Sequence, residues 1–349
     1  MLAKTDVLIV GGGLAGLALA QKLHHAGRDF HLVEARGRLG GRILTHDQDG
    51  ARYDMGPAWF WPGQPRMAAL VQALDIPVFE QFSDGALVFE DGSGAVQHGR
   101  GGAMQGSLRL AGGMSALVDG LGAALPEDRL RLGAEVVAIE HSGEGVTATF
   151  RDGGCIAARH IVLALPPRVA TQIVYTPHLP DAAIKAMEAV PTWMAGHAKA
   201  VVLYERTFWR DAGLSGDAMS SVGPMVEMHD ASPIDGPAAI FGFIGVPVAG
   251  RRDEVALKAA VRDQMVRLFG DAAGTPLDVI LKDWAQDAHT ATPSDAEALY
   301  AHPRYGLPTV LDGLMEGRLI LGSTETAPQF GGFLEGALEA AEGVFEALN

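Results

Sequence analysis

The chain has 349 residues, enough for two domains or one large one, and 48% of them are apolar, so a sizeable core can form. A formal net charge of −15 argues against nucleic acid and anionic membrane surfaces as partners, and no uninterrupted apolar run is long enough to cross a bilayer. The single cysteine, Cys155, rules out an intramolecular disulfide, and the twelve histidines show no metal-ligand spacing, so no metal is expected.

The first element is a short apolar strand, residues 6–10 (DVLIV), followed at once by Gly11-Gly12-Gly13-Leu14-Ala15-Gly16 and a helical run over 17–23. The glycines fit G-x-G-x-x-G. Gly11 permits the tight turn, Gly13 lets backbone approach a pyrophosphate, and Gly16 lets helix pack on strand. Leu14 and Ala15 open a helix whose free N–H groups suit phosphate. A second apolar strand, 31–33, ends at Glu34, where a carboxylate can grip ribose hydroxyls. Strand before, helix after and acid in place together predict a bound dinucleotide. Ala35 and Arg36 follow the acid. Then Arg38 and Arg42 bracket Gly40-Gly41, a tight basic turn suited to phosphate oxygens.

A loop leads to a helix over 65–74, then a hairpin with strands at 86–90 and 95–97 around Asp91-Gly92-Ser93-Gly94. A helix is expected over 114–124. Residues 130–165 read as strands with turns at 143–145 and 152–154, and Cys155 falls in one of these hairpins. The 180–285 stretch reads as a helix, a strand at 198–204, a strand near 239–244 and a helix near 253–269. The last strand is 318–321. The last helix runs to the end, with Leu334, Leu338, Ala341, Phe345 and Leu348 as its buried stripe.

Arg38-Leu39-Gly40-Gly41-Arg42-Ile43-Leu44-Thr45, an R-x-G-G-R-x-x-T pattern, resembles the second fingerprint of the flavin-containing amine oxidases. That superfamily includes polyamine oxidases, L-amino acid oxidases, protoporphyrinogen oxidase and phytoene desaturase. The resemblance runs the length of the chain. Tyr53-Asp54-Met55-Gly56-Pro57-Ala58 is similar to the family's segment beside the flavin ring, and Gly112-Gly113-Met114 to its helix start. Val136 falls where the family packs a residue on adenine, and Ala164-Leu165-Pro166-Pro167 resembles its A-x-P-P. Trp284 matches a tryptophan near the flavin. Gly322-Ser323-Thr324-Glu325-Thr326 and Gly332-Phe333-Leu334-Glu335-Gly336-Ala337 match its C-terminal flavin motif.

The resemblance implies an α/β protein. A Rossmann-like FAD-binding domain, three-layer β-β-α and glutathione-reductase-like, would be formed by 1–75, 107–178 and 300–349. An α+β substrate domain would be interleaved as 76–106 and 179–299. FAD would be non-covalent, because the stretch after Trp284, where some members attach it, has no cysteine. The family's first substrate-domain insertion is long and helical. Only about thirty residues fill it here, so the site is expected to be open or covered by Trp59, Phe60 and Trp61. With no leader before the first strand and an end directly after the last helix, a cytoplasmic protein without the anchor of the mammalian monoamine oxidases is expected.

Three residues are expected to carry the chemistry. Lys199 sits in a strong strand, and period two places it on the face of Val201 and Leu203, where burial should lower its pKa. By resemblance it would hold water or oxygen at flavin N5. Trp284 lies beside the ring. Phe333 occupies one position of the family's aromatic cage. The other falls near Pro293-Ser294 and is not aromatic, which leaves Trp193, Trp209 or Tyr305 to compensate. The final helix should aim its N-terminus at the flavin N1–C2=O edge. Glu325 would bind ribityl or phosphate-side groups. The implied reaction is oxidation of a C–N bond in an amine or amino acid by hydride transfer to N5, with O2 as electron acceptor and peroxide as product. The alternatives are a C–C desaturase or dehydrogenase using another acceptor, and a non-catalytic flavin-binding protein.

Overall fold

A computed structural model describes residues 3–102, 104–143, 145–297, 299 and 301–348. Glu144, inside the turn expected at 143–145, and Tyr300, at the expected start of the last cofactor-domain segment, lie outside the described residues. One sheet is built on the parallel strands Ala3–Val10, Phe30–Val33 and Leu130–Arg131, with Cys155–Leu163 on the other side of the first. The long Cys155–Leu163 strand forks. Its start pairs antiparallel with Gly145–Phe150, and its end pairs parallel with Leu319–Leu321.

The fork makes the three layers. Val7 and Ile9 point into a core with the helices Leu14–His25, Ser115–Ala123 and Leu334–Ala347, whereas Leu8 and Val10 point into a core with Ile139, Val146 and Ala148 of the antiparallel meander. A strand buried on both faces therefore reads as a continuous apolar run. The structure is thus α/β with the expected β-β-α layering.

A second, seven-stranded sheet has the order Asp278–Asp283, Ala198–Tyr204, Ala238–Ile244, Met225–Asp230, Leu214–Ser220, Ala86–Glu90 and Val96–Gly99. The 86–99 hairpin lies at one edge, joined in parallel to Leu214–Ser220. The reduced insertion is thus a β-extension of this sheet. Three strands of the sheet were not expected: Leu214–Ser220, Met225–Asp230 and Asp278–Asp283. The first, LSGDAMS, has poor β-propensity. It is held by partners supplied by the fold: Asp217 binds His229 at 2.7 Å, and Ser220 donates to Glu90 at 2.5 Å. The stretch expected as a loop after the second fingerprint is a hairpin, Thr45–Gln48 with Ala51–Asp54. Its turn, Asp49-Gly50, has both φ positive, at 54° and 87°, as an Asp-Gly type I′ turn requires. Among the described residues no helix is long and apolar enough to cross a membrane.

Candidate active site

The glycine turn is shaped by its surroundings. Gly11 has φ 113°, and a Cβ there would stand 2.6 Å from the Ala164 carbonyl oxygen. A Cβ on Gly16 would stand 2.0 Å from the Gly11 carbonyl oxygen, so helix and strand touch only because that atom is missing. Gly13 differs: no described atom would come closer than 3.9 Å to a Cβ there. The space beside Gly13 belongs to a cavity of about 1340 Å³ that runs between the two sheets. This exceeds the usual ~300–1,000 Å³ of a small-ligand site and suits an extended dinucleotide together with a substrate.

One end of the cavity is polar. Leu14 and Ala15 line it at the start of a helix that has no side-chain cap and no acid in its first turn, which leaves its N–H groups for an anion. Glu34, buried on the wall, accepts from the backbone N–H of Gly12 at 2.8 Å and of Arg36 at 2.9 Å, and a carboxylate has acceptor capacity beyond these two bonds. Arg36 is held by Asp287 and Thr290 at 2.5 and 2.9 Å. The Gly40-Gly41 turn docks on the first through the Gly40 N–H on Gly12 O at 2.8 Å. Arg38 departs from expectation. Its guanidinium is used on the carbonyls of Leu39, Gly41 and Ile43, so it staples the turn and leaves Arg42 as the arginine of this turn on the wall. Ala35, Gly41, Val136 and Ala164 also line the cavity, Val136 beside Ala134 and Val137 near the Arg151–Glu135 ion pair.

The other end is built around residues 55–58, all four of which line the cavity. Lys199 of the second sheet and Trp284, directly after its edge strand Asp278–Asp283, clamp consecutive carbonyls of this segment. Trp284 Nε1 donates to Met55 O at 3.0 Å and Lys199 Nζ donates to Gly56 O at 3.1 Å. Lys199 is 3% exposed, with Nζ 4.0 Å from the Phe241 ring centroid and 6.0 Å from that of Trp59. Burial brings its pKa from 10.5 down to about 7, against the pull of Asp54 and with a push from Arg109. The period-two reading of this lysine therefore meets an apolar, aromatic surrounding in the fold.

The C-terminal motif closes the same end. Ser323, Thr324, Gly332, Phe333, Leu334 and Ala337 line the cavity, and the N-terminus of Leu334–Ala347 opens on it without a side-chain cap. Thr324 fixes the loop by donating to Phe333 O at 2.8 Å and accepting from Gly332 N–H at 3.0 Å. Gly16, Gly322 and Glu325 are not on the wall. Gly322 lets Val162 and Val344 pack, since a Cβ would come within 2.9–3.0 Å of them. Glu325 is fully buried and pairs with Arg42 at 2.7 and 3.1 Å, so its carboxylate serves the arginine and not a ribityl chain directly.

These elements fit FAD: an anion-ready helix start, space beside Gly13 that no protein atom fills, a buried carboxylate at ribose distance along the chain, and a second helix start at the far end. The model of the flavin containing amine oxidoreductase family matches residues 14–101 and 86–344. The chain belongs to this family. It is an FAD-dependent oxidoreductase. The sequence named as a flavin-containing monoamine oxidase, AofH, in Mycobacterium tuberculosis is 27% identical over 444 aligned positions, covering 97% of this chain and 95% of the relative. A putrescine oxidase of Kocuria rosea is 23% identical over 82% of this chain and 84% of its own. Among solved structures, putrescine oxidase bound to putrescine superposes with a TM-score of 0.84 at 19% identity, over 99% of each chain. Cyclohexylamine oxidase from Brevibacterium oxydans gives 0.83 at 19%, over 99% of this chain and 98% of its own.

The substrate side of this family member differs from the expected cage. Phe333 is 36% exposed and stacks on His302, with centroids 4.6 Å apart and planes at 13°. His302 meets Trp193 edge-on at 4.9 Å, and a chain of ring contacts continues through His197 and Phe243 to Phe241. The rings thus form a continuous belt spaced by two imidazoles, of which Phe333, Trp193, His197 and Phe243 line the cavity. Of the three aromatic candidates, Trp193 is the one that lines the cavity. Trp209 does not: it is wholly buried in the second sheet's own core, on Asp230. Tyr305 packs behind Gly331 and Gly332 and donates to Pro191 O at 2.9 Å. The three residues expected over the site alternate. Trp59 and Trp61 line the cavity, whereas Phe60 turns into the helical core and exchanges backbone hydrogen bonds with Leu108. His197, Glu227 and Arg251 on the wall were not anticipated. The sequence signal for His197 was its place two residues before Lys199, on the same face.

Proposed function

We propose that this protein oxidises the C–N bond of a small amine, with O2 as the electron acceptor and hydrogen peroxide as the second product. The observation that carries the proposal is Lys199, buried among aromatic rings with Nζ on the carbonyl of Gly56, in the segment that resembles the family's flavin-side stretch. Bound FAD supplies the two-electron acceptor for this chemistry. Lys199 would hold water or oxygen beside the flavin, Trp284 would fix the 55–58 backbone, and the start of Leu334–Ala347 would favour negative charge on the bound cofactor.

An amine fits the wall better than an amino acid. Among the described lining residues every arginine already has a carboxylate: Arg36 has Asp287, Arg42 has Glu325, Arg151 has Glu135 and Arg251 has Asp283. Among the described lining residues no guanidinium is left without a carboxylate partner for a substrate carboxylate. Relatives named for putrescine and for cyclohexylamine support the same class. We also read 1–75, 107–178 and 300–349 as the FAD-binding domain and 76–106 with 179–299 as the substrate domain, in line with the strands of the two sheets. FAD is read as non-covalent, since Cys155 is off the cavity wall.

The test is anaerobic bleaching of the flavin by a panel of primary amines and amino acids, followed by peroxide measurement on admitting air. Bleaching by amines with stoichiometric peroxide is expected. Bleaching that air does not reverse would favour a dehydrogenase or desaturase using another acceptor. No bleaching by any amine would refute the proposal.

A further inference from the structure

The loop before the Lys199 strand carries a second titratable group into the cavity. Trp193, Met194, Gly196 and His197 all line it. The loop is held in an uncommon conformation: Met194 has φ 64°, in the left-handed region that non-glycine residues rarely enter. His197 N–H closes the turn on Met194 O at 3.1 Å, and His197 O accepts from Trp284 N–H at 3.0 Å. The backbone of His197 is thus tied to the tryptophan that clamps residue 55. The imidazole is packed between Trp193, at 6.4 Å, and Phe243, at 6.3 Å. Its Nδ1 is buried without a hydrogen-bond partner, so the ring meets the cavity through its Nε2 edge.

We infer that His197 is the base that takes the proton from the incoming substrate ammonium. The inference rests on the amine-oxidising reading above. Removing hydride from the carbon beside nitrogen requires the nitrogen lone pair, and an alkylamine reaches the site protonated, with a solution pKa near ~10 like that of lysine. In the step, one N–H bond of the ammonium breaks, its electron pair stays on nitrogen as the lone pair, and the proton bonds to Nε2. The imidazolium later returns the proton to solvent through the cavity mouth. His197 stands two residues from Lys199, about 7 Å along the chain, so a substrate amine beside the flavin segment is within its reach.

The surrounding charges suit the transfer. Burial, then the Arg251 guanidinium, lowers the His197 pKa, which keeps the ring neutral and able to accept. Lys199 on the same chain face, Glu227, in register with Phe243 on the next strand but one, and Glu297, two residues after the Asp295 that accepts from Thr192 N–H, are further charged groups among the described lining residues. Lys199 also shows what the wall does to an alkylammonium: burial brings it from 10.5 to about 7. A substrate ammonium placed there undergoes the same loss of hydration, which brings donor and acceptor close to balance.

The test compares FAD-loaded wild type with His197→Gln and His197→Phe, all matched for bound FAD, in anaerobic stopped-flow reduction from pH 6 to 10 by an amine that bleaches the wild type. The variants should be slower by tenfold or more at pH 7, and the gap should close towards pH 10, where free amine arrives already deprotonated. Loss by one constant factor at every pH, or no loss, would overturn the inference while leaving the amine-oxidising reading intact. No bleaching of the wild type by any amine would remove the reading itself. A second readout needs no turnover. tert-Butylamine has no hydrogen on the carbon beside nitrogen, and its binding should move the ¹⁵N resonances of His197, identified by their absence in His197→Gln, from neutral to protonated. A ring that stays neutral at saturation overturns the proposal.

Discussion

Replacing Lys199 by methionine tests the reading of the site through stability as well as rate. Methionine keeps length and apolar packing and deletes the charge. In the folded protein the lysine is 3% exposed and its pKa falls from 10.5 to about 7, chiefly by burial. At 1.36 kcal/mol per unit, that displacement is on the order of 5 kcal/mol against folding below pH 7. Between about pH 7 and 10.5 the unfolded chain holds a proton at this lysine that the folded one does not. Wild-type stability therefore gains from this group as pH rises through that window, and the methionine variant lacks the gain. The variant should exceed the wild type at pH 6.5, less the hydrogen bond to Gly56 O, which is worth about 1 kcal/mol. Its advantage should shrink by about 3 kcal/mol by pH 9.5. Other titrating groups cancel in the difference. Urea unfolding followed by tryptophan fluorescence at three pH values, with FAD saturating in both proteins, measures it. Parallel stability profiles for the two proteins across pH 7–9.5 would show that Lys199 is not desolvated as its surroundings indicate.

The same variant should retain FAD but slow reoxidation by O2 more than reduction by amine, and stopped-flow traces of the two half-reactions decide this; a deficit confined to reduction would make Lys199 a substrate residue. Gly13→Ala should fold normally and lose FAD affinity, because only the ligand occupies that space, whereas Gly16→Ala should lower the melting temperature of the protein even without ligand, its Cβ falling 2.0 Å from Gly11 O. Glu34→Ala should weaken FAD binding by roughly 1.5–3 kcal/mol, about 10- to 150-fold, in a flavin-fluorescence titration. Acid precipitation should leave the yellow colour in the supernatant; colour that pellets with the protein would contradict non-covalent FAD.

Much of the cofactor half was legible in the sequence because its constraints are local. Gly11, Gly13 and Gly16 are needed where one turn meets one helix, and Glu34 follows its strand directly, so spacing alone points to a dinucleotide. The period-two argument placed Lys199 on the buried face because a strand's alternation is fixed by covalent geometry. The substrate half was less legible because its residues are chosen by partners far along the chain. Leu214–Ser220 reads as a poor strand until Asp217 finds His229 and Ser220 finds Glu90. Arg38 and Arg42 look equivalent in sequence, yet one turns onto three carbonyls of its own loop and the other onto Glu325, nearly three hundred residues away. Trp193, Trp209 and Tyr305 were indistinguishable as aromatic candidates. The docking of the two sheets across residues 55–58 decided that Trp193 and His197 face the cavity while Trp209 fills a core. A side chain's local pattern states which face of its own element it occupies; what that face meets is set by the packing of the elements, and only the folded chain supplies it.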